Sequence, residues 1–206
     1  MLKIEISINI EIVLFIILFI LTKRIGLYVM FLFFVLIHEL SHVALGIILG
    51  FKPQKFMIMP FGFKVQFQKT QTNKNIEYKK IAVAIIGPAI NLLLMLIAII
   101  LKLHTNIIFS NLIIAVFNLI PIYPLDGGRI LKSILNVKLE PQRAYKIVNR
   151  VSNISIVILT AISSIVVLYI KNIGIVFTLA YLWYVVIREN KRYKIIKRVY
   201  DVIENN

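Results

Sequence analysis

Five consecutive residues hold most of the chemistry that this sequence can be read to perform: His38, Glu39, Leu40, Ser41 and His42. On a helix, side chains four apart share a face. Both imidazoles can then bind one metal, with the intervening Glu held beside a metal-bound water. Zinc favours imidazole and carboxylate ligands and keeps one position open when it is catalytic. Glu39 is the expected general base, taking a proton from water and delivering it to a leaving amine. A pattern this short also arises by chance in charged soluble helices. Here it interrupts an apolar run, where ionisable groups are costly unless paired and usually mark a function. The chain has three histidines, and the third, His104, lies in the short polar break Lys102–Asn106, where a solvated loop residue is expected.

A catalytic zinc needs a third protein ligand, and acids are few. Glu5 and Glu11 open the first apolar run, while Glu77, Glu140, Glu189, Asp201 and Glu204 sit among basic residues and read as surface charges. Asp126 differs, lying in F-N-L-I-P-I-Y-P-L-D-G-G-R-I-L among apolar neighbours, with two Pro and two Gly close by. Taken alone the stretch reads equally as a turn ending a helix. Beside the histidine pair it supplies a candidate ligand, since broken helix at membrane depth is tolerated where it lines a cavity or is buried.

The elements that must position these residues follow from hydropathy. Of the 206 residues 60% are hydrophobic and 16% charged, and the mean hydropathy is +0.89. A soluble domain is normally about half apolar and a quarter charged. The excess falls into runs approaching the roughly 20 apolar residues of a membrane-crossing helix. About six spans are expected, at Ile8–Thr22, Leu27–Leu49, Ile81–Leu101, Ile107–Ile120, Ile154–Ile170 and Ile173–Ile187; the first and fourth are short. The fold class is thus all-α and polytopic with a short cytoplasmic-side β element, with a transmembrane domain over residues 1–188 and a basic tail over 189–206.

The net charge of +15 comes from 24 Lys and Arg against nine Asp and Glu. With six spans, twenty of the basic residues fall on one face and four (Lys23, Arg24, Lys102 and Lys171) on the other. That split is what the positive-inside rule gives when both termini are cytoplasmic. No nucleic-acid motif accompanies the charge, so no nucleic-acid partner is expected. The basic stretch Pro141–Arg150 is modestly amphipathic and suits a solvated helix or an anionic lipid surface. There are no cysteines, which excludes thiolate ligands and disulfides.

H-E-L-S-H in an early span with N-L-I-P-I-Y-P-L-D-G-G in a later one resembles the site-2 protease family of intramembrane metalloproteases, over roughly Leu27–Leu135. The resemblance implies His38, His42 and Asp126 as zinc ligands and Glu39 as catalytic acid/base. It also matches Gly87-Pro88-Ala89-Ile90-Asn91 to the family's G-P-x-x-N element. Asn91 would then either donate to the substrate carbonyl or oxyanion or stabilise a helix contact, and Asn118 would orient the Asp loop or face substrate. The six-span layout and small size resemble the stage IV sporulation protein FB branch, without the CBS domain that many of its members carry. The implied substrate is a membrane-associated protein, such as a sigma-factor precursor, with membrane inhibitor proteins as further partners.

One further segment bears on substrate. Phe61, Phe63, Val65 and Phe67 alternate with Gly62, Lys64, Gln66 and Gln68, a period that predicts a half-buried strand. Phe63 and Val65 are candidate substrate-binding positions on a strand edge that pairs with an unwound substrate. A connecting hairpin resting on the bilayer is the plainer alternative. A metal transporter or metal-binding regulator using the same ligands is the rival function. It would need further ionisable groups along a path, and the other spans supply almost none.

Overall fold

The computed structural model describes residues 5–8, 25–59, 62–68, 73–170 and 173–204. They form two compact units, residues 1–118 and 119–206. The first span expected from hydropathy lies outside the described residues.

In the first unit, strand β1 (Glu5–Ile8) precedes helix α1 (Ile25–Ile48), strands β2 (Pro53–Met59) and β3 (Gly62–Phe67), helix α2 (Lys74–Ile100) and most of helix α3 (Thr105–Leu119). The strands form one sheet in the order β1-β2-β3, β1 parallel to β2 and β2 antiparallel to β3. Within the expected alternation Gly62–Phe67 form a strand, and β3 is an edge strand among the described strands of the sheet. Ring packing fastens it to α1. Phe67 lies against Gly46, where any larger residue would occupy the space of its ring, and Phe51 packs beside it at 5.7 Å.

The helix ends have local causes. Gly50 adopts φ 88°, which costs a glycine nothing. It lets Phe51 N donate to Gly46 O and Gly50 N to Ile47 O, both at 2.9 Å, so two terminal carbonyls are satisfied as the chain turns out of α1. Helix α2 begins at Asn73, whose side chain accepts from Ile76 N at 2.8 Å. It closes on the same geometry as α1, with Leu103 N donating to Ala98 O and Lys102 at φ 51° in the glycine position. Between α1 and α3 the core is Phe34, Val35 and Ile114.

The second unit holds α4 (Asp126–Lys138), α5 (Pro141–Ile170) and α6 (Ile173–Glu204). Proline is well placed to start α5, since a first helical residue needs no N–H. The basic stretch after Pro141 and the apolar run from Ile154 are thus one continuous helix. Likewise the 188/189 boundary falls inside α6. Asn153 and Asn190 exchange two amide hydrogen bonds of 3.0 and 2.8 Å between α5 and α6. Trp183 Nε1 donates to Thr160 Oγ1 at 3.0 Å further along the same pair.

Among the described residues three helices are long and apolar enough to cross a membrane: Ile25–Ile48, Lys74–Ile100 and Pro141–Tyr169. Helix α3 has 15 residues, about 22 Å, which is less than the roughly 30 Å of hydrocarbon in a bilayer. The expected count of six is therefore not reached by the described helices.

The Leu-Asp-Gly-Gly turn depends on its glycines. A Cβ on Gly127 would collide with the carbonyls of Leu119 and Ile120, and one on Gly128 with the backbone of Ile122 and Tyr123. Backbone cannot swing aside as a side-chain tip can. Gly128→Ala should therefore lower the thermal unfolding midpoint of the detergent-solubilised protein, by an overpacking cost of about 1–3 kcal/mol. Gly26→Ala, where a Cβ meets nothing, is the control expected to leave the midpoint unchanged.

Candidate metal centre

Helix α1 carries His38 and His42 one turn apart, both buried at 1% and 3% exposure. Their rings pack edge to face with centroids 4.7 Å apart, and the two Nε2 atoms are 3.1 Å apart. Gly87 of α2 makes room for them, since a Cβ there would overlap both rings. The glycine in the Gly87–Asn91 element is thus explained by imidazoles packed directly on the α2 backbone.

The hydrogen bonds around the rings determine their tautomers. Ile107 O can only accept, so Asn111 turns its Nδ2 toward it at 2.9 Å. Asn111 Oδ1 then accepts from Asn91 Nδ2 at 2.9 Å. That leaves Asn91 Oδ1 to accept from His38 Nδ1 at 2.6 Å. His42 Nδ1 lies 2.5 Å from Val83 O, which again can only accept. Both rings therefore carry their proton on Nδ1 and present Nε2 as an acceptor. Two acceptors at 3.1 Å call for positive charge between them. Two nitrogens on a tetrahedral zinc, each at 2.0–2.1 Å, would be about 3.3 Å apart. The pair fits a metal and is held by the outer hydrogen bonds that metal-ligating histidines normally have.

Glu39 follows His38 in α1 and is half-buried. Ser41 Oγ donates to His38 O at 2.6 Å, a bond within the helix. Asn118 is also half-buried, and its Nδ2 donates to Ile114 O of its own helix at 3.0 Å. Phe63 and Val65 lie in β3; their side chains are outside the described residues. His104 is exposed and accepts from Asn106 N, as expected of a loop residue.

In the second unit Asp126 is the first residue of α4 and is 3% exposed. A carboxylate suits that position, where the helix dipole favours negative charge. Arg129 lies 3.3 Å from its Oδ1. The preceding turn is tied to α5 by Tyr123 N donating to Ser152 Oγ at 3.0 Å, and the Tyr123–Pro124 peptide is cis.

Two residues differ from the sequence reading. Asn111 was not singled out. It is fully buried and anchors the amide chain behind His38. The available signal was an amide inside an apolar run. Glu77, read as a surface charge, is 2% exposed. Lys80 lies 2.7 Å from its Oε1, so its charge is paired at the start of α2. Proximity in sequence to lysines had suggested solvent when it meant a partner.

Comparison with known proteins agrees with this geometry. Residues 100–159 match the model of peptidase family M50. The fold is that of the site-2 protease from Methanocaldococcus jannaschii, with a TM-score of 0.68 at 22% identity over 92% of each chain. The sequence is 33% identical to stage IV sporulation protein FB of Bacillus subtilis over 121 residues, 55% of this chain and 41% of that one. It is 29% identical to a zinc metalloprotease of Methanocaldococcus jannaschii over 115 residues, 50% of this chain and 32% of that one. The chain thus spans less than half the length of these last two relatives. The family model, the fold and these relatives all mark the chain as similar to the site-2 proteases of peptidase family M50.

The amide relay should control metal affinity. Asn91→Ala leaves His38 Nδ1 without its acceptor and should weaken zinc binding about 10–100-fold, the usual cost of losing such a partner. Asn111→Ala should weaken it less, because Asn91 survives but its amide orientation is no longer enforced. Zinc competition against a chelator of known affinity measures both. Equal affinity in wild type and Asn91→Ala would show that the relay does not support the metal.

Proposed function

We propose that the protein is an intramembrane zinc metalloprotease that hydrolyses a peptide bond in a membrane-associated protein. The observation that carries this is the pair of buried imidazoles whose Nδ1 protons are both committed and whose Nε2 atoms lie 3.1 Å apart. All three candidate ligands, His38, His42 and Asp126, are buried. In this reading Asp126 is the third ligand. Two imidazoles and a carboxylate suit zinc.

Zinc held there would polarise the scissile carbonyl and bring the pKa of a water to about 7. Glu39 takes the proton from the attacking water and returns it to the leaving nitrogen. Asn91 keeps His38 oriented, and its second amide N–H is the part left to meet a substrate carbonyl or oxyanion. Asn118, at the end of α3, is proposed to help orient the Asp126 loop or to face substrate. Partly apolar surroundings strengthen each of these interactions relative to water.

The substrate chain must be extended before it is cut. Edge strand β3, carrying Phe63 and Val65, is proposed to bind it by adding it to the sheet. Phe67 at the end of β3 packs on Gly46, one turn beyond His42 in α1, which supports a bound strand running close to the metal. The similarity to stage IV sporulation protein FB supports a sigma-factor precursor as the substrate, with membrane proteins as inhibitors. Both termini are proposed to be cytoplasmic, in keeping with the charge split along the sequence.

Two experiments test this reading. Co-expression with a tagged sigma-factor precursor should give a shortened product with wild type. Glu39→Gln should retain zinc and cleave at least about 10²-fold more slowly. Chelation should abolish cleavage and zinc readdition should restore it. Cleavage that persists in Glu39→Gln would remove the proposed base. For the strand, Val65→Pro and Gln66→Pro are compared. Neighbouring N–H groups point to opposite edges, so one of the two substitutions removes a donor from the open edge. Undiminished cleavage in both folded variants would exclude strand addition.

A further inference from the structure

On the second unit, α5 and the end of α6 enclose a groove of about 600 Å³ that the proposed chemistry does not use. Lys146, Asn149, Arg150 and Asn153 line one part of it, Ile154, Val157 and Ile158 the other, and Tyr193 of α6 forms a wall. The groove has a fixed frame. Tyr193 packs edge-on against Tyr145 at 5.4 Å, and the Asn153–Asn190 pair joins the two helices at the groove.

The cations of the groove stand out from their neighbours. Arg143 lies near Glu140, and Arg192 near Glu189. Lys132 sits over the rings of Tyr123 and Tyr145. Among the described residues no ion pair or ring contact is made by Lys146 or Arg150, which are both exposed. The two positive charges face a cavity that supplies them with no anion.

Depth indicates what that anion belongs to. From Ile154 to Ile170 helix α5 has no charged residue, a stretch of about 25 Å. Its polar-to-apolar change therefore marks the edge of the hydrocarbon. Arg150 lies four residues before Ile154, about 6 Å along the axis, within the headgroup layer of about 5–8 Å. Lys146 lies about 12 Å out, and its long stem can lower the ammonium toward the same layer. Ile154, Val157 and Ile158 are all more than half exposed and continue the groove into the hydrocarbon. One ligand then has to be anionic at its head and apolar below.

We propose that this groove is a binding site for one anionic phospholipid. Lys146 and Arg150 hold its phosphate, and an acyl chain lies along Ile154, Val157 and Ile158. The occupant comes from the bilayer rather than from solution, because the apolar half would gain nothing from free phosphate.

Native mass spectrometry of the full chain, released from detergent, tests this with phosphatidylglycerol, phosphatidylcholine and inorganic phosphate as separate probes. Wild type should retain phosphatidylglycerol in preference to phosphatidylcholine, and inorganic phosphate should not displace it. Lys146→Gln with Arg150→Gln should bind phosphatidylglycerol about thirtyfold more weakly. Lys191→Gln with Lys194→Gln removes the same charge from exposed positions of α6 outside the groove and should bind as wild type does. Val157→Trp fills the apolar half, should also weaken lipid binding, and serves where the double variant does not fold. Undiminished binding in the groove variants would overturn the proposal. So would an equal loss in the α6 control, or displacement by inorganic phosphate. None of these readouts depends on proteolysis, so this site and the protease reading stand or fall separately.

Discussion

A buried hydrogen-bonding group must be paired, and in the apolar interior between α1, α2 and α3 this one requirement organises the site. Backbone carbonyls cannot change roles, so Ile107 O and Val83 O act as fixed points. From them the amides of Asn111 and Asn91 and the rings of His38 and His42 take determined orientations. An unpaired polar group there would cost roughly 1–3 kcal/mol. The same cost that penalises a misfit makes the imidazole geometry specific before any metal arrives. The chain has to deliver close helix packing for this to work, and Gly87 is where it does so. A side chain at that position would separate α2 from the rings by about the width of a methyl group.

The chemistry was legible in the sequence because it is local. His38 and His42 are four apart in one apolar run, and helical periodicity alone places them together. Gly87 and Asn91 were singled out through the resemblance to a G-P-x-x-N element, but the bond from His38 Nδ1 to the Asn91 amide was neither of the two readings given for Asn91. Asn111 was not, because its importance comes from a contact across helices twenty residues apart in the chain. Glu77 was misread for a different reason: charge in sequence does not report burial, and Glu77 is buried while its charge is paired with Lys80 three residues on.

Secondary structure followed the same division. The period-two pattern gave strand β3, and hydropathy gave α1, α2 and the apolar part of α5. Hydropathy divided α5 at Asn153 and α6 at Arg188, where the helices run on. A hydropathy window registers the change from lipid to water, but backbone hydrogen bonding continues through it. Pro141 holds the start of α5, and no breaker stands between it and Ile154. The parallel pairing of β1 with β2 was beyond reach of the sequence, as β1 is four residues long and its partner lies past α1.

Trp183 has a consequence for how the molecule can be observed. It is the single tryptophan of the chain, and its indole N–H is committed to Thr160 across the α5–α6 pair. Intrinsic indole emission is therefore a native optical probe of that helix pair. Its colour and quenching would register separation of α5 from α6 with no label attached.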